Sequence, residues 1–188
     1  MNTKLIVIVI AIIAISFFFC NTENGDSDSK NKVEQKDISY VPEWSRNAIW
    51  YQVFVERFRN GDTSNDPKVE DIQGTYPDET PEGWKITPWG HDWYKPDDWF
   101  ANSSLPDQWN NLQARRYGGD LQGVLDQLDY LQSLGINAIY FNPLNDSPTL
   151  HKYDPRHWRH IDRNFGPDPE GDKKIISEEN PIDPATWK

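Results

Sequence analysis

Two short apolar runs on either side of one amphipathic helix restrict this chain to an α/β arrangement. Ile49–Val55, "IWYQVFV", is β-branched and aromatic along most of its length and reads as a buried strand. Ile136–Phe141, "INAIYF", reads the same way, and Asn142 and Pro143 end it. Between them Leu121, Val124, Leu125, Leu128, Leu131 and Leu134 recur at helical spacing and form a single apolar face. Asp120 suits the N-cap and Gly135 the position just past the last turn. Strand, connection, helix and strand make a βαβ unit. Strands buried on both faces predict a parallel, helix-covered sheet. Such sheets carry their sites at the carboxyl ends of the strands.

Two stretches lie at those ends. "FRNGDTSNDP", residues 58–67, follows the first strand and holds Asn60, Asp62, Ser64, Asn65 and Asp66. A turn needs one or two such residues, not five. Hard cations such as Ca²⁺ take about six to eight oxygen ligands in flexible geometry. The loop lacks the spacing and closing Glu of an EF-hand, and an Asx-rich turn without metal is the competing reading. "SPTLHKYD", residues 147–154, follows the second strand. The connection between first strand and helix, residues 59–118, is very long and carries Trp84, Trp89, Trp93, Trp99 and Trp109. Loops of this length are functional or unstructured, and the indoles argue against unstructured.

A net charge of −11 argues against nucleic acid and anionic membrane surfaces as partners. It suits a neutral substrate or a divalent cation. The first 20 residues hold one early Lys and the apolar run Leu5–Phe19, too short to span a membrane and suited to an export signal. Cys20, the only cysteine, stands where that run stops and cannot form an intrachain disulfide. Its position suggests lipidation of a bacterial lipoprotein. Phe17–Phe19 lack the small residue expected just before such a Cys, so a cleaved secretory signal and a retained anchor stay open. Residues 21–40 read as a polar tether, and an exported, membrane-anchored protein is the expectation.

Taken in order, "AIWYQVFVERFRNGDTSNDP", "YGGDLQGVLDQLDYLQSLGINAIYFNPL" and "HKYD…HIDRNFG" resemble the alpha-amylase family of glycoside hydrolases (family 13), above all its cyclomaltodextrinase-like and neopullulanase-like members. The resemblance implies a (β/α)8 TIM barrel, of which residues 41–188 supply the first strand, first helix, second strand and long loops. A whole barrel takes about 250 residues, so the chain is expected to be the N-terminal part of a longer enzyme. The family's catalytic carboxylates follow later strands, and no catalytic residue carries over. The chain alone is expected to be inactive and unstable.

The resemblance also implies two sites. A structural Ca²⁺ would be held by Asn60, Asp62, Asn65, Asp66, the Gly118 carbonyl and Asp120. Tyr153 would stack on a sugar of an α-glucan or maltooligosaccharide and His151 would help hold it, against the plainer reading of a loop His and Tyr packed on the rim. Asp154 is expected to organise the loop. The tryptophans of the long connection read either as loop core or as the lining of a glucan groove. Pro155, His157 and Trp158 depart from the usual family residues. Residues 166–188 read as a surface insertion.

Overall fold

The computed structural model of the chain describes residues 41–76 and 80–188. Contacts divide the chain after Pro42, and every secondary-structure element among the described residues lies in the Glu43–Lys188 unit. The predicted signal, the tether and Cys20 lie outside the described residues. Among the described residues no helix is long and apolar enough to cross a membrane.

After a one-turn helix, α1 (Glu43–Arg46), strand β1 (Trp50–Val53) pairs in parallel with β2 (Ala138–Phe141). Trp50 lies opposite Ala138 and Val53 opposite Phe141. The ladder runs a little further at each end: Ala138 N donates to Ile49 O at 3.3 Å and Asn142 N to Val53 O at 2.9 Å, and the Asn137 side chain accepts from Ile49 N at 2.7 Å. Both strands are shorter than the apolar runs predict. Beyond Val53 the backbone gives up β2 and bonds to the far end of the long connection. Glu56 O accepts from Gly119 N at 2.9 Å and Arg59 O from Asp120 N at 3.1 Å. Val55–Arg57 therefore coils into a 3₁₀ turn.

The strands are not buried on both faces as expected. Val53 is fully buried, whereas Trp50 is 53 % and Tyr140 56 % exposed. Val53, Val55, Val124 and Phe165 form the core over this sheet, with Phe58, Leu121, Ile139, Phe141 and Leu144 packed against it. The predicted single helix is two: α3 (Leu121–Leu125) and α4 (Leu128–Ser133). Gln127, at φ −109° and ψ 5°, leaves the helical region between them. Val124 and Leu131 are buried, but Leu125, Leu128 and Leu134 are exposed, because two strands offer the stripe too little surface to cover.

The long connection has its own core of Ile72, Trp84, Trp99, Leu105 and Ala114. Part of it is helical, α2 (Gln108–Ala114), capped by Asp107 on Asn110 N. Two buried arginines tie it down. Arg115 Nε donates to Asp97 Oδ2 at 2.6 Å, and its Nη atoms reach the carbonyls of Trp93 and Lys95. Arg116 donates to Gln113 O at 2.7 Å and to Pro148 O at 2.7 Å, joining the first connection to the loop after β2. Burial brings the Arg116 guanidinium down to about 10, against the pull of Glu56.

A second, antiparallel pair was not legible in the sequence: β3 (Asn145–Asp146) with β4 (His157–Ile161). Asp146 is fully buried and takes Arg163 at 3.0 Å through each carboxylate oxygen. Residues 166–188, expected as a surface insertion, contain the helix α5 (Pro169–Glu178), capped by Asp168 with Pro169 in its first turn. Glu179 just beyond it accepts from Arg159 at 2.6 Å and lies 2.9 Å from His160 Nε2. The His160 contact, then the Lys188 backbone, holds its carboxyl down to about 2.

Candidate functional site

The turn after β1 and the turn before α3 meet at Asp120, which is fully buried. Its carboxylate accepts from Gly123 N at 2.5 Å, capping α3, and from Asp62 N at 2.8 Å and Gly61 N at 3.1 Å. One side chain thus starts a helix and clamps the oxygen-rich loop. Gly123 allows the close approach, because a Cβ there would collide with the Arg59 carbonyl.

Within the loop, Asp62 Oδ1 accepts from Ser64 N at 2.9 Å and Ser64 Oγ at 2.6 Å. These bonds, the hydroxyl's first, hold its carboxyl below the usual range. Asn60 Nδ2 donates to Asp66 Oδ1 at 2.5 Å. Asn65 Nδ2 donates to Gly166 O at 3.0 Å, joining the loop to the turn before α5. The backbone at Gly118 has φ +73°, and a Cβ there would strike Asp66 Oδ1 and Asn60 Nδ2. Gly118, Asn60 and Asp66 therefore share one crowded point.

Two buried oxygens in the loop, Asn60 Oδ1 and Asn65 Oδ1, have no hydrogen-bond partner. Burial raises the Asp66 carboxyl, and the charges of Asp120 and Asp62 add to the rise, against the Asn60 bond. Orphaned amide oxygens beside a crowd of carboxylates are the donor set a hard cation takes. Among the described residues no three His, Cys, Asp or Glu side chains converge as metal ligands. Carboxylates alone do not make the site, since Asp120 is occupied by backbone N–H groups. Any cation here would need the amides and backbone oxygen beside the carboxylates.

His151 and Tyr153 stand on the loop between β3 and β4. Its ends are drawn together by Arg156 N donating to Asp146 O at 2.7 Å. Lys152, between the two, is buried, and its φ of +60° is unusual for a residue with a side chain. Its Nζ donates to Asp162 Oδ2 at 2.6 Å and Ser147 O at 3.0 Å, and lies 5.1 Å from the centre of the Phe165 ring. Inward anchoring of Lys152 turns its two neighbours outward. The His151 and Tyr153 rings lie 5.7 Å apart, tilted by 42°. Tyr153 is 66 % exposed.

Tyr153 N donates to His151 Nδ1 at 3.1 Å, which leaves Nδ1 without a proton in the neutral ring. In that tautomer the ring proton is carried by Nε2. Asp154 accepts from Ser147 Oγ at 2.8 Å and from Thr149 Oγ1, tying the loop across its base. Ser147, Thr149 and the anchoring role of Lys152 escaped the sequence reading. Lys152 lies inside the quoted motif, but nothing local marks it as buried. Of the loop tryptophans, Trp84 and Trp99 are core, while Trp89, Trp93 and Trp109 are exposed.

A parallel βαβ unit with a polar turn after each strand is a piece of an α/β domain, and comparison with known proteins gives its family. The chain belongs to the alpha-amylase family, matching "Alpha amylase, catalytic domain" over residues 52–179. Members fold as a (β/α)8 barrel, and this chain contains one of its βαβ units. It is 39 % identical over 134 residues to a cyclomaltodextrinase of Thermoanaerobacter pseudethanolicus, covering 71 % of this chain and 17 % of the relative. It is 36 % identical over 146 residues to an intracellular maltogenic amylase of Bacillus subtilis, covering 78 % and 19 %. A cyclic alpha-maltosyl-(1→6)-maltose hydrolase from Arthrobacter globiformis, solved with maltose, is 34 % identical, with 66 % of this chain and 21 % of that one aligned at a TM-score of 0.45. The chain spans less than a fifth of the length of these two curated relatives.

Proposed function

We propose that the protein carrying this chain is a retaining glycoside hydrolase acting on α-1,4-linked glucans: starch, maltodextrins and cyclodextrins. The observation that carries the reading is the pinned loop that turns His151 and Tyr153 outward together. The Tyr153 ring offers a flat apolar face to a pyranose, and His151 Nε2–H donates to a sugar hydroxyl. The chain's role is to bind and orient. Retaining hydrolysis needs two carboxylates about 5–5.5 Å apart, which the resemblance assigns to later strands. The test compares maltodextrin hydrolysis by the full-length protein with that by residues 38–188 alone. Release of the α-anomer by the first and no sugar above a buffer control by the second is the expected result. Sugar release by residues 38–188 would overturn the placing of catalysis outside them. Retardation of the full-length protein in an amylopectin gel without hydrolysis would identify a non-catalytic glucan-binding protein instead.

In this reading a Ca²⁺ ion takes Asn60, Asp62, Asn65, Asp66, the Gly118 carbonyl and Asp120. The two orphaned amide oxygens support it. The ion is structural and ties the turn after β1 to the turn before α3. Export with lipidation at Cys20 completes the proposal, motivated by the apolar run that Cys20 ends. Labelled palmitate fed to expressing bacteria should enter the wild type and not Cys20→Ser. Equal labelling of both would sink the lipoprotein assignment.

A further inference from the structure

Asn60 is followed by Gly61. In such a pair the asparagine side chain closes most readily on the next backbone nitrogen, since a glycine neither shields that nitrogen nor restricts its backbone. Packing leaves no alternative to glycine here. A Cβ at Gly61 would lie 2.3 Å from Gly123 N and 2.6 Å from Gln122 C, both backbone atoms of α3. The fold therefore forces a reactive pair on the chain, and it blocks the reaction at both partners. Gly61 N, the nucleophile, donates to Asp120 Oδ1 at 3.1 Å and to Oδ2 at 3.2 Å. Asn60 Nδ2, the leaving group, donates to Asp66 Oδ1 at 2.5 Å. Gly61 itself is exposed, so these bonds, and not burial, keep the pair apart.

We propose that Asn60 is a deamidation site which the Asp120 clamp holds shut, and that its reaction makes opening of this loop irreversible. When the loop opens, Gly61 N gives up its proton and bonds to Asn60 Cγ. The Cγ–Nδ2 bond breaks and ammonia leaves. Water then opens the succinimide at one of its two carbonyls. Cleavage between Cγ and nitrogen gives aspartate. Cleavage between the backbone carbonyl carbon and nitrogen gives isoaspartate, with the chain running through Cβ and Cγ. Nothing is oxidised or reduced, and water is the sole co-reactant. Neither product restores the clamp. Aspartate lacks the Nδ2–H that Asp66 accepts and sets two carboxylates at the point Gly118 already crowds. Isoaspartate lengthens the backbone by a methylene beside Gly61, where α3 leaves no room for one added carbon. Each local opening thus carries a chance of permanent loss. The inference uses only the Asp120 clamp and stands whether or not a cation binds.

The test incubates the full-length protein at mildly alkaline pH, folded and in urea, and follows Asn60 by peptide mapping. Isoaspartate is read by enzymatic methyl transfer. Deamidation at Asn60 should be about 100-fold slower in the folded protein, the protection that an opening cost of about 2.8 kcal/mol gives. Asp120→Asn keeps an acceptor for the α3 cap and gives up the charge, so it should raise the folded rate about tenfold. Equal rates in the folded and unfolded protein would overturn the proposal, as would an Asn60 that stays intact in urea. So would an unchanged rate in folded Asp120→Asn. Should that variant not fold, amide hydrogen exchange at Gly61 of the wild type decides. Exchange and deamidation rising together in sub-denaturing urea is the expected result, and fast exchange at Gly61 with Asn60 intact overturns the clamp. No readout is an activity, so the outcome is independent of the proposed function.

Discussion

Replacing Tyr153 with Ala in the full-length protein is expected to lower turnover on maltodextrins about 100-fold, the scale of a misplaced reacting group, with the fold intact. The two halves of this expectation come from separate observations. The ring is mostly exposed, so removing it uncovers little core and leaves no cavity. The bond from Tyr153 to His151 is made by backbone N–H, so the imidazole keeps its orientation in the variant. Lys152 still anchors the loop through Asp162 and Ser147. What disappears is the platform. Tyr153→Phe keeps the apolar face and should stay within a few-fold of wild type, which separates stacking from the phenol hydroxyl. Steady-state kinetics with near-ultraviolet circular dichroism decide the matter. Unchanged kinetics in Tyr153→Ala would remove the residue from the substrate site.

Chelation is expected to lower the melting temperature of the full-length protein by roughly 5–10 °C. An ion at about 100 times its Kd stabilises by about 2.7 kcal/mol, and each kcal/mol moves a domain of 150–250 residues by about 2–4 °C. Asp62→Ala should abolish the response to chelator while costing little itself, since Asp62 makes local bonds to Ser64. The response should also depend on pH. Without the ion, burial first, then Asp120 and Asp62, raise the Asp66 carboxyl. A carboxyl raised in the folded state supports the fold while protonated. That support is lost as pH rises through its folded pKa. A bound cation offsets the loss, so the chelator effect should be largest near neutral pH. It should shrink as the pH falls into the carboxylate range, where protonated ligands release the ion. A melting temperature indifferent to chelator at neutral pH would dispose of the site.

Local rules carried much of the architecture. Apolar runs of strand length, a stripe at helical spacing, Asp120 before it and Gly135 after it made the βαβ unit legible, because each depends on neighbours in sequence. The crowd of short oxygen donors after β1 was visible for the same reason. The ends of β1 were not, because a strand lasts only as long as its partner, and the backbone past Val53 takes its bonds from Gly119 and Asp120, some sixty residues on. The helix was expected whole and is broken at Gln127. Its stripe could be counted in the sequence, but the area waiting to cover it could not.

The sequence by itself determined the family, through three ordered motifs, and the chemistry available at each strand end. Only the tertiary structure decided which of those residues are tools and which are scaffold. Trp84 and Trp109 are equivalent indoles in one long connection, yet the first donates to Ala114 O inside a core and the second faces a cleft. Lys152 reads as one more surface lysine, but Asp162 and Phe165, from beyond β4, make it a buried anchor. Arg115 and Arg116 are charged neighbours that composition would place in water. Carbonyls from Trp93, Lys95 and Pro148 draw them inside. In each case the deciding partner lies ten or more residues away in the chain. Burial and hydrogen bonding are properties of assembled surfaces, and no local pattern specifies which surface a side chain will meet.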